Sequence, residues 1–186
     1  SVSRAIKKTG WRASDTAELA LDGVRVPTSA RLGEEGTGFL CLMKTFLRER
    51  IYLAAIGVAT AELAYEDAAA YVKQRQAFGR PVAGFQVTRH KLVDMATQID
   101  IAREYTYRCA ALMQAGKNPI KQVAMAKNFS VDVCEKVTRE AVQLFGGMGY
   151  MRESVVERLY RDAKILSIGG GTTEIMKELI AKQIRL

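Results

Sequence analysis

Proline is nearly absent, at 3 of 186 residues. An interior proline removes a helix hydrogen bond and clashes with the preceding turn, so its scarcity permits long helices almost everywhere. Histidine occurs once, at His90. That excludes a histidine-based metal cluster, and the residue reads as helix surface or a satisfied partial-core residue. The cysteines, Cys41, Cys109 and Cys134, are odd in number, far apart and in no C-x-x-C pair. Metal and redox readings are therefore weak, and each reads as a small buried apolar residue in a reducing compartment. The longest near-apolar run, Ile51 to Ala61, is too short for a bilayer span, which needs about 20 residues. No charged-then-apolar leader opens the chain. What remains is ordinary globular composition, with 48% apolar and 26% charged residues, and a length that suits about one domain.

Lys+Arg 28 against Asp+Glu 20 leaves +8. A basic balance favours an anionic partner: nucleic acid, a nucleotide or a phosphorylated cofactor. The densest basic cluster, Lys73, Arg75, Arg80, Arg89 and Lys91, is interrupted by Phe78, Pro81 and Phe85, which argues against a nucleic-acid patch.

Glu18–Leu21 and Val24–Val26 alternate around Asp22-Gly23 and are closed by Pro27, the pattern of two short strands and a turn. Such a pair is not stable alone, and the chain starts at Ser1 without a methionine. The expectation is a fragment in which residues 1–35 end an upstream β-rich domain and residues 36–186 form a helical domain. From Phe39 the period is helical: Phe39, Leu42, Met43, Phe46 and Leu47 share one face, and the pattern runs to about Arg75. A loop at 76–84 precedes a second helix from about Phe85 to Ala115, with Gly116 as its stop. Asn118-Pro119 is expected to cap a third helix ending at Gly146-Gly147. A shorter helix spans about Ser154–Leu166, and Thr172 caps a last one. Three long helices with short links predict an all-α fold, an antiparallel four-helix bundle with an extra C-terminal helix, preceded by short strands.

Glu49 stands out on spacing alone. Leu42, Phe46, Glu49, Leu53 and Ile56 share a face on which one position carries a carboxylate. A carboxylate facing a core is costly unless paired or neutral. Burial raises a carboxylic acid's pKa toward the range of a general base; the alternative is a buried ion pair with Arg48, Arg50 or a neighbouring helix. Arg75-Gln76-Ala77-Phe78-Gly79 suits a phosphate and a planar ring, or a helix end where Arg offsets the dipole. Gln143–Gly149 is glycine-rich but follows a helix, unlike a strand-turn-helix dinucleotide fingerprint. Gly169–Glu174 precedes a helix whose free N–H groups can hold a phosphate or polarise a carbonyl, or it is a flexible linker.

In sequence order, Arg75–Gly79 with Gln86, Gln143–Gly149, Arg158–Ile165 and Gly171–Glu174 resemble the C-terminal half of the acyl-CoA dehydrogenases, which are flavoenzymes. Gly10–Thr16 through Pro27 resembles the end of that family's middle β-domain. The resemblance implies a helical bundle at the centre of a homotetramer or homodimer, an FAD cofactor, an acyl-CoA substrate and electron transfer to an electron-transfer flavoprotein. It implies neither nucleic-acid binding nor a membrane span. The location it implies is the cytoplasm in a bacterium or the mitochondrial matrix in a eukaryote. By residue, Arg75 would bind the FAD pyrophosphate, Phe78 would pack near the adenosine and Gln86 would hold the same cofactor. Gln143, Gly146 and Gly147 would bind FAD of the adjoining subunit, and Thr172 and Glu174 would also contact FAD. Gly170 and Gly171 would face substrate, with Arg50 binding substrate or holding Glu49, while Arg161 and Asp162 look structural. The commonest family pattern, Tyr-Glu-Gly-Thr, carries the catalytic base where this chain has Gly170. The long-chain and isovaleryl branches instead carry a Glu in the first long helix, and Arg48-Glu49-Arg50-Ile51 fits that context, which makes Glu49 the catalytic base.

The implied reaction is oxidation of an acyl-CoA to a trans-2-enoyl-CoA, with little or no turnover by the 186-residue chain alone. One rival keeps the fold but makes the protein an acyl-CoA oxidase or another flavoenzyme. Another makes it a non-catalytic helical assembly or nucleic-acid-binding module, a reading suggested by Gly170 and the +8 charge.

Overall fold

The computed structural model describes residues 2–186, apart from the side chain of Ser3. Five helices carry the fold: α1 (Gly38–Gln74), α2 (Gln86–Gln114), α3 (Ile120–Phe145), α4 (Val155–Ala163) and α5 (Thr173–Gln183). Their ends follow local chemistry. Gly116, at φ +73, ends α2: its N–H donates to the Met113 carbonyl and that of Lys117 to the Leu112 carbonyl, the paired bonds of a Schellman stop. Gly146 ends α3 at φ +60. Thr172 caps α5 by accepting the Ile175 N–H on its hydroxyl at 3.3 Å. The third helix starts one residue later than expected, at Ile120, with Pro119 as its cap.

Consecutive helices from α1 to α4 are antiparallel. Cross-links from Arg103 to Glu62, Lys91 to Glu140 and Lys164 to Glu135 tie α2 to α1, α2 to α3 and the turn just after α4 to α3. The most intimate pair, however, is α1 with α3, which run parallel. Small residues on α1 explain it: Ala54, Ala61, Ala64 and Ala68 are fully buried. A Cβ on Gly57 would lie 3.1 Å from the Ser130 carbonyl oxygen. One core, built on Val58, Met95, Ile99, Val133, Val137 and Val156, fills the space between α1, α2, α3 and α4. Tyr71 and Phe145 stack at 4.1 Å where α1 and α3 end together.

The N-terminal region departs from expectation. Strand β1 (Val2–Ala5) pairs antiparallel with β2 (Ala17–Leu19), and Val24–Val26 forms no strand. Only Gly23 of the Asp22-Gly23 pair has positive φ, whereas a two-residue I′ turn requires it of both. Phe78 and Gly79 both meet that requirement, at φ +50 and +78. They form the turn of a small hairpin, β3 (Gln76–Ala77) with β4 (Arg80–Pro81), inside the expected loop. The segment before β2 is moored to α4: the Trp11 N–H donates to Asp162 Oδ1 at 2.7 Å, and a Cβ on Gly10 would lie 2.6 Å from the Arg161 carbonyl oxygen. Arg161 pairs with Glu157 at 2.9 Å. Among the described residues, no helix is long and apolar enough to cross a membrane.

Candidate active site

The turn Gly169–Gly171 sits between α4 and α5 and is held from below by two cations. Arg50, on α1 and only 6% exposed, donates from Nε to the Gly170 carbonyl at 3.0 Å. Lys127, on α3 and fully buried, donates from Nζ to the Gly171 carbonyl at 2.8 Å. Burial pulls the pKa of both side chains down; Glu49 opposes this at Arg50, while the charge of Arg50 adds to it at Lys127. Gly170 and Gly171 have φ +65 and +101, conformations that glycine adopts without steric cost. The turn is therefore not a flexible linker but a fixed one, pinned at consecutive carbonyls. A Cβ on Gly170 would lie 2.6 Å from Leu53 Cδ1, so a side chain at 170 requires Leu53 to move.

Glu49 does not sit as its spacing predicted. It is exposed, and no residue of α1 before Arg50 is buried. The first turns of α1 extend past the helices that cover its remainder. Nor does Glu49 form an ion pair among the described residues. It does share a helix face with Leu53, one turn on, about 6 Å along the axis. Leu53 touches the Gly170 turn, so Glu49 and that turn flank the same stretch of α1. Lys127 went unread in the sequence. Its signal was the rule that singled out Glu49: Val123, Lys127, Val131 and Cys134 follow helical spacing, and all four are buried.

At the other end of the bundle, Arg75, Gln143, Gly146 and Gly147 line one open depression of about 630 Å³ with Tyr71 and Met148. Nothing lies within 4 Å of a Cβ built on Gly146 or Gly147, so the backbone there is open to close approach. The Arg75 guanidinium forms no ion pair among the described residues. A free guanidinium, a carboxamide and bare glycine backbone are the donor set and clearance that a pyrophosphate needs, so these residues fit FAD. On this chain Arg75 and the Gln143–Gly147 group share that one depression. Nearby, Phe78 stands 96% exposed at the hairpin tip, edge-on to Phe85 with centroids 6.3 Å apart. Gln86 is exposed at the first turn of α2.

Thr172 and Glu174 belong to neither the depression nor the hairpin. They line a separate cavity at the start of α5 with Asn128, which donates from Nδ2 to the Thr173 carbonyl at 3.0 Å. The Glu174 backbone N–H and the Thr172 hydroxyl hold the Glu174 carboxyl below the usual carboxylate range. Asn128 and Gln143 are about 22 Å apart along α3 at ~1.5 Å per residue. The expected cofactor residues thus fall into two groups toward opposite ends of the bundle. Among the described residues, no cluster of His, Cys, Asp or Glu could hold a metal ion.

The family described as acyl-CoA dehydrogenase, C-terminal domain, matches residues 36–185. The mitochondrial long-chain specific acyl-CoA dehydrogenase of Sus scrofa is 42% identical over 181 residues, covering 97% of this chain and 42% of that protein. The crystal structure of an acyl-CoA dehydrogenase from Geobacillus kaustophilus superposes with a TM-score of 0.98 at 40% identity, covering 100% of this chain and 49% of that one. A chain in the structure of the electron transferring flavoprotein of Acidaminococcus fermentans superposes with a TM-score of 0.96 at 39% identity, covering 99% and 48%. The chain spans about half the length of the relatives it matches. By a family match over most of its length, on the fold just described, the chain belongs to the acyl-CoA dehydrogenase C-terminal domain family.

Proposed function

We propose that this chain is the C-terminal part of an FAD-dependent acyl-CoA dehydrogenase, in which residues 1–35 complete a middle β-domain and residues 36–186 form the helical domain. The observation that carries the reading is the pinned Gly170–Gly171 turn beside the face of α1 that presents Glu49. In this reading the Glu49 carboxylate accepts the α-proton of the acyl thioester. The Gly170 N–H donates to the thioester carbonyl and stabilises the enolate-like charge that develops there. When bound, FAD supplies the hydride acceptor, so that loss of the α-proton and the β-hydride leaves a trans-2-enoyl-CoA.

Arg75, Gln143, Gly146 and Gly147 hold the pyrophosphate, with Phe78 and Gln86 beside them, and Thr172 and Glu174 meet cofactor at the other end of the bundle. The separation of those groups along α3 supports a homodimer or homotetramer in which one FAD is held by residues of two subunits. Arg75 then travels with Gln143 and the glycines, on the same subunit. The A. fermentans likeness supports an electron-transfer flavoprotein as electron acceptor.

The test is anaerobic mixing of the complete parent protein, loaded with FAD, with a panel of acyl-CoAs while flavin absorbance is followed. Bleaching by at least one acyl-CoA is expected; no bleaching by any member overturns the reading.

A further inference from the structure

Lys127 is a fully buried cation without an ion-pair partner among the described residues. Its electrostatic neighbours, Glu174 and Glu135, do not reach pairing distance, and Arg50 repels it. Burying an ammonium group costs several kcal/mol unless it is paired or well hydrogen-bonded. Packing α3 into the bundle does not require that, since a methionine of similar length would fill the space. The ammonium has one bond in return, to the Gly171 carbonyl at 2.8 Å.

That bond acts where the backbone has the most freedom. Gly170 and Gly171 are consecutive glycines at positive φ, and nothing in their own covalent structure holds them there. Arg50 fixes the carbonyl of one peptide plane and Lys127 the carbonyl of the next. Every peptide described is trans, so each carbonyl drawn inward turns the N–H of the following residue outward. The N–H groups of Gly170, Gly171 and Thr172 have no acceptor among the described residues. The result is a short row of free donors, half-buried, of which those of Gly171 and Thr172 lie in the two clamped peptide planes and that of Gly170 in the plane just before them.

We propose that Lys127 is a positioning residue: by holding the Gly171 carbonyl, it fixes the shape of the Gly170–Thr172 turn, and through that turn the direction in which the Gly170 N–H meets the thioester carbonyl of the substrate. This rests on the function proposed above. Arg50 is the first clamp on the turn and Lys127 the second, reaching from a different helix without approaching the reacting atoms itself.

The test uses the complete FAD-loaded parent protein with Lys127→Met and Lys127→Arg. A 2-enoyl-CoA labelled with ¹³C at the thioester carbonyl is bound, and the carbonyl stretching frequency is read by difference infrared spectroscopy. Wild type lowers that frequency relative to the free ligand. Lys127→Met is expected to bind FAD and enoyl-CoA yet lose at least about half of the shift, and to slow flavin bleaching at saturating acyl-CoA by about tenfold with KM little changed. Lys127→Arg, which can still donate to the carbonyl, is expected to regain most of both. A full carbonyl shift in Lys127→Met overturns the role of Lys127 while leaving the proposed function standing. A wild type that neither shifts the carbonyl nor bleaches overturns both. Should Lys127→Met not fold, Lys127→Leu, which likewise has no donor, replaces it, and a full shift there is equally fatal.

Discussion

Gly147 and Gly149 stand two residues apart in the turn after α3, and the structure gives them opposite roles. A methyl group on Gly149 would lie 2.5 Å from the Val142 carbonyl oxygen and 2.8 Å from Phe145 Cβ. Both obstacles belong to the last turns of α3, so relief requires the whole 146–150 turn to lift. Overpacking of this kind costs typically 1–3 kcal/mol. Gly149→Ala is therefore expected to destabilise by about 2 kcal/mol, or roughly 4–8 °C in Tm for a chain of this size. Gly147 differs in that nothing lies within 4 Å of a Cβ built there, and its φ is not positive. Gly147→Ala is expected to leave the Tm of the FAD-free protein unchanged within about 0.5 kcal/mol. Its methyl group instead projects into the depression lined by Arg75 and Gln143, so FAD binding weakens, by about tenfold or 1.4 kcal/mol. Calorimetry without FAD, followed by FAD titration monitored by flavin fluorescence, reads both effects. A wild-type Tm for Gly149→Ala refutes the packing argument. Unchanged FAD affinity in Gly147→Ala refutes the assignment of the depression.

Phe78 holds a left-handed conformation while almost wholly exposed. Phe78→Gly removes a backbone cost of about 1–2 kcal/mol and adds about 0.5–1 kcal/mol of unfolded-state entropy. The chain should be unchanged to about 1 kcal/mol more stable in urea melts, while FAD affinity falls; a loss beyond about 1 kcal/mol contradicts this balance. Burial pushes the Cys134 thiol up to about 12 from 9.0. Between those values the unfolded chain loses a proton that the folded chain keeps, so this group's contribution is full below pH 9 and declines as pH rises. The slope is on the order of 1 kcal/mol per pH unit. Cys134→Ala should therefore gain on wild type as urea melts move from pH 9 to pH 11, and a difference independent of pH refutes it.

Local chemistry made the helical part of the fold legible. Proline scarcity, the Gly116 and Gly146 stops and the Thr172 cap each act within one turn, and each stands where its residue type requires. The parallel contact of α1 with α3 was not legible in the same way. Alanine and glycine at Ala54, Gly57, Ala61, Ala64 and Ala68 look unremarkable until another helix lies against them. The N-terminal strands failed because pairing is non-local: Glu18 found Arg4 rather than a partner across Asp22-Gly23. At the candidate site, helical spacing identified the face that carries Glu49 but not how far the covering helices extend along it. Arg50, its neighbour in sequence, is the buried member of the pair. Lys127 obeys the spacing rule, yet its partner is a carbonyl on a distant turn, which no pattern along α3 encodes.

The central claim is that Glu49 is the proton acceptor. Glu49→Gln preserves size and hydrogen-bonding reach and removes only the basic oxygen. In the complete FAD-loaded protein, mixed anaerobically with an acyl-CoA that bleaches wild type, the variant should bind cofactor and thioester normally. Its flavin should bleach more slowly by on the order of 10²–10⁴, the range of a lost general base. Bleaching at a rate near that of wild type would contradict the account.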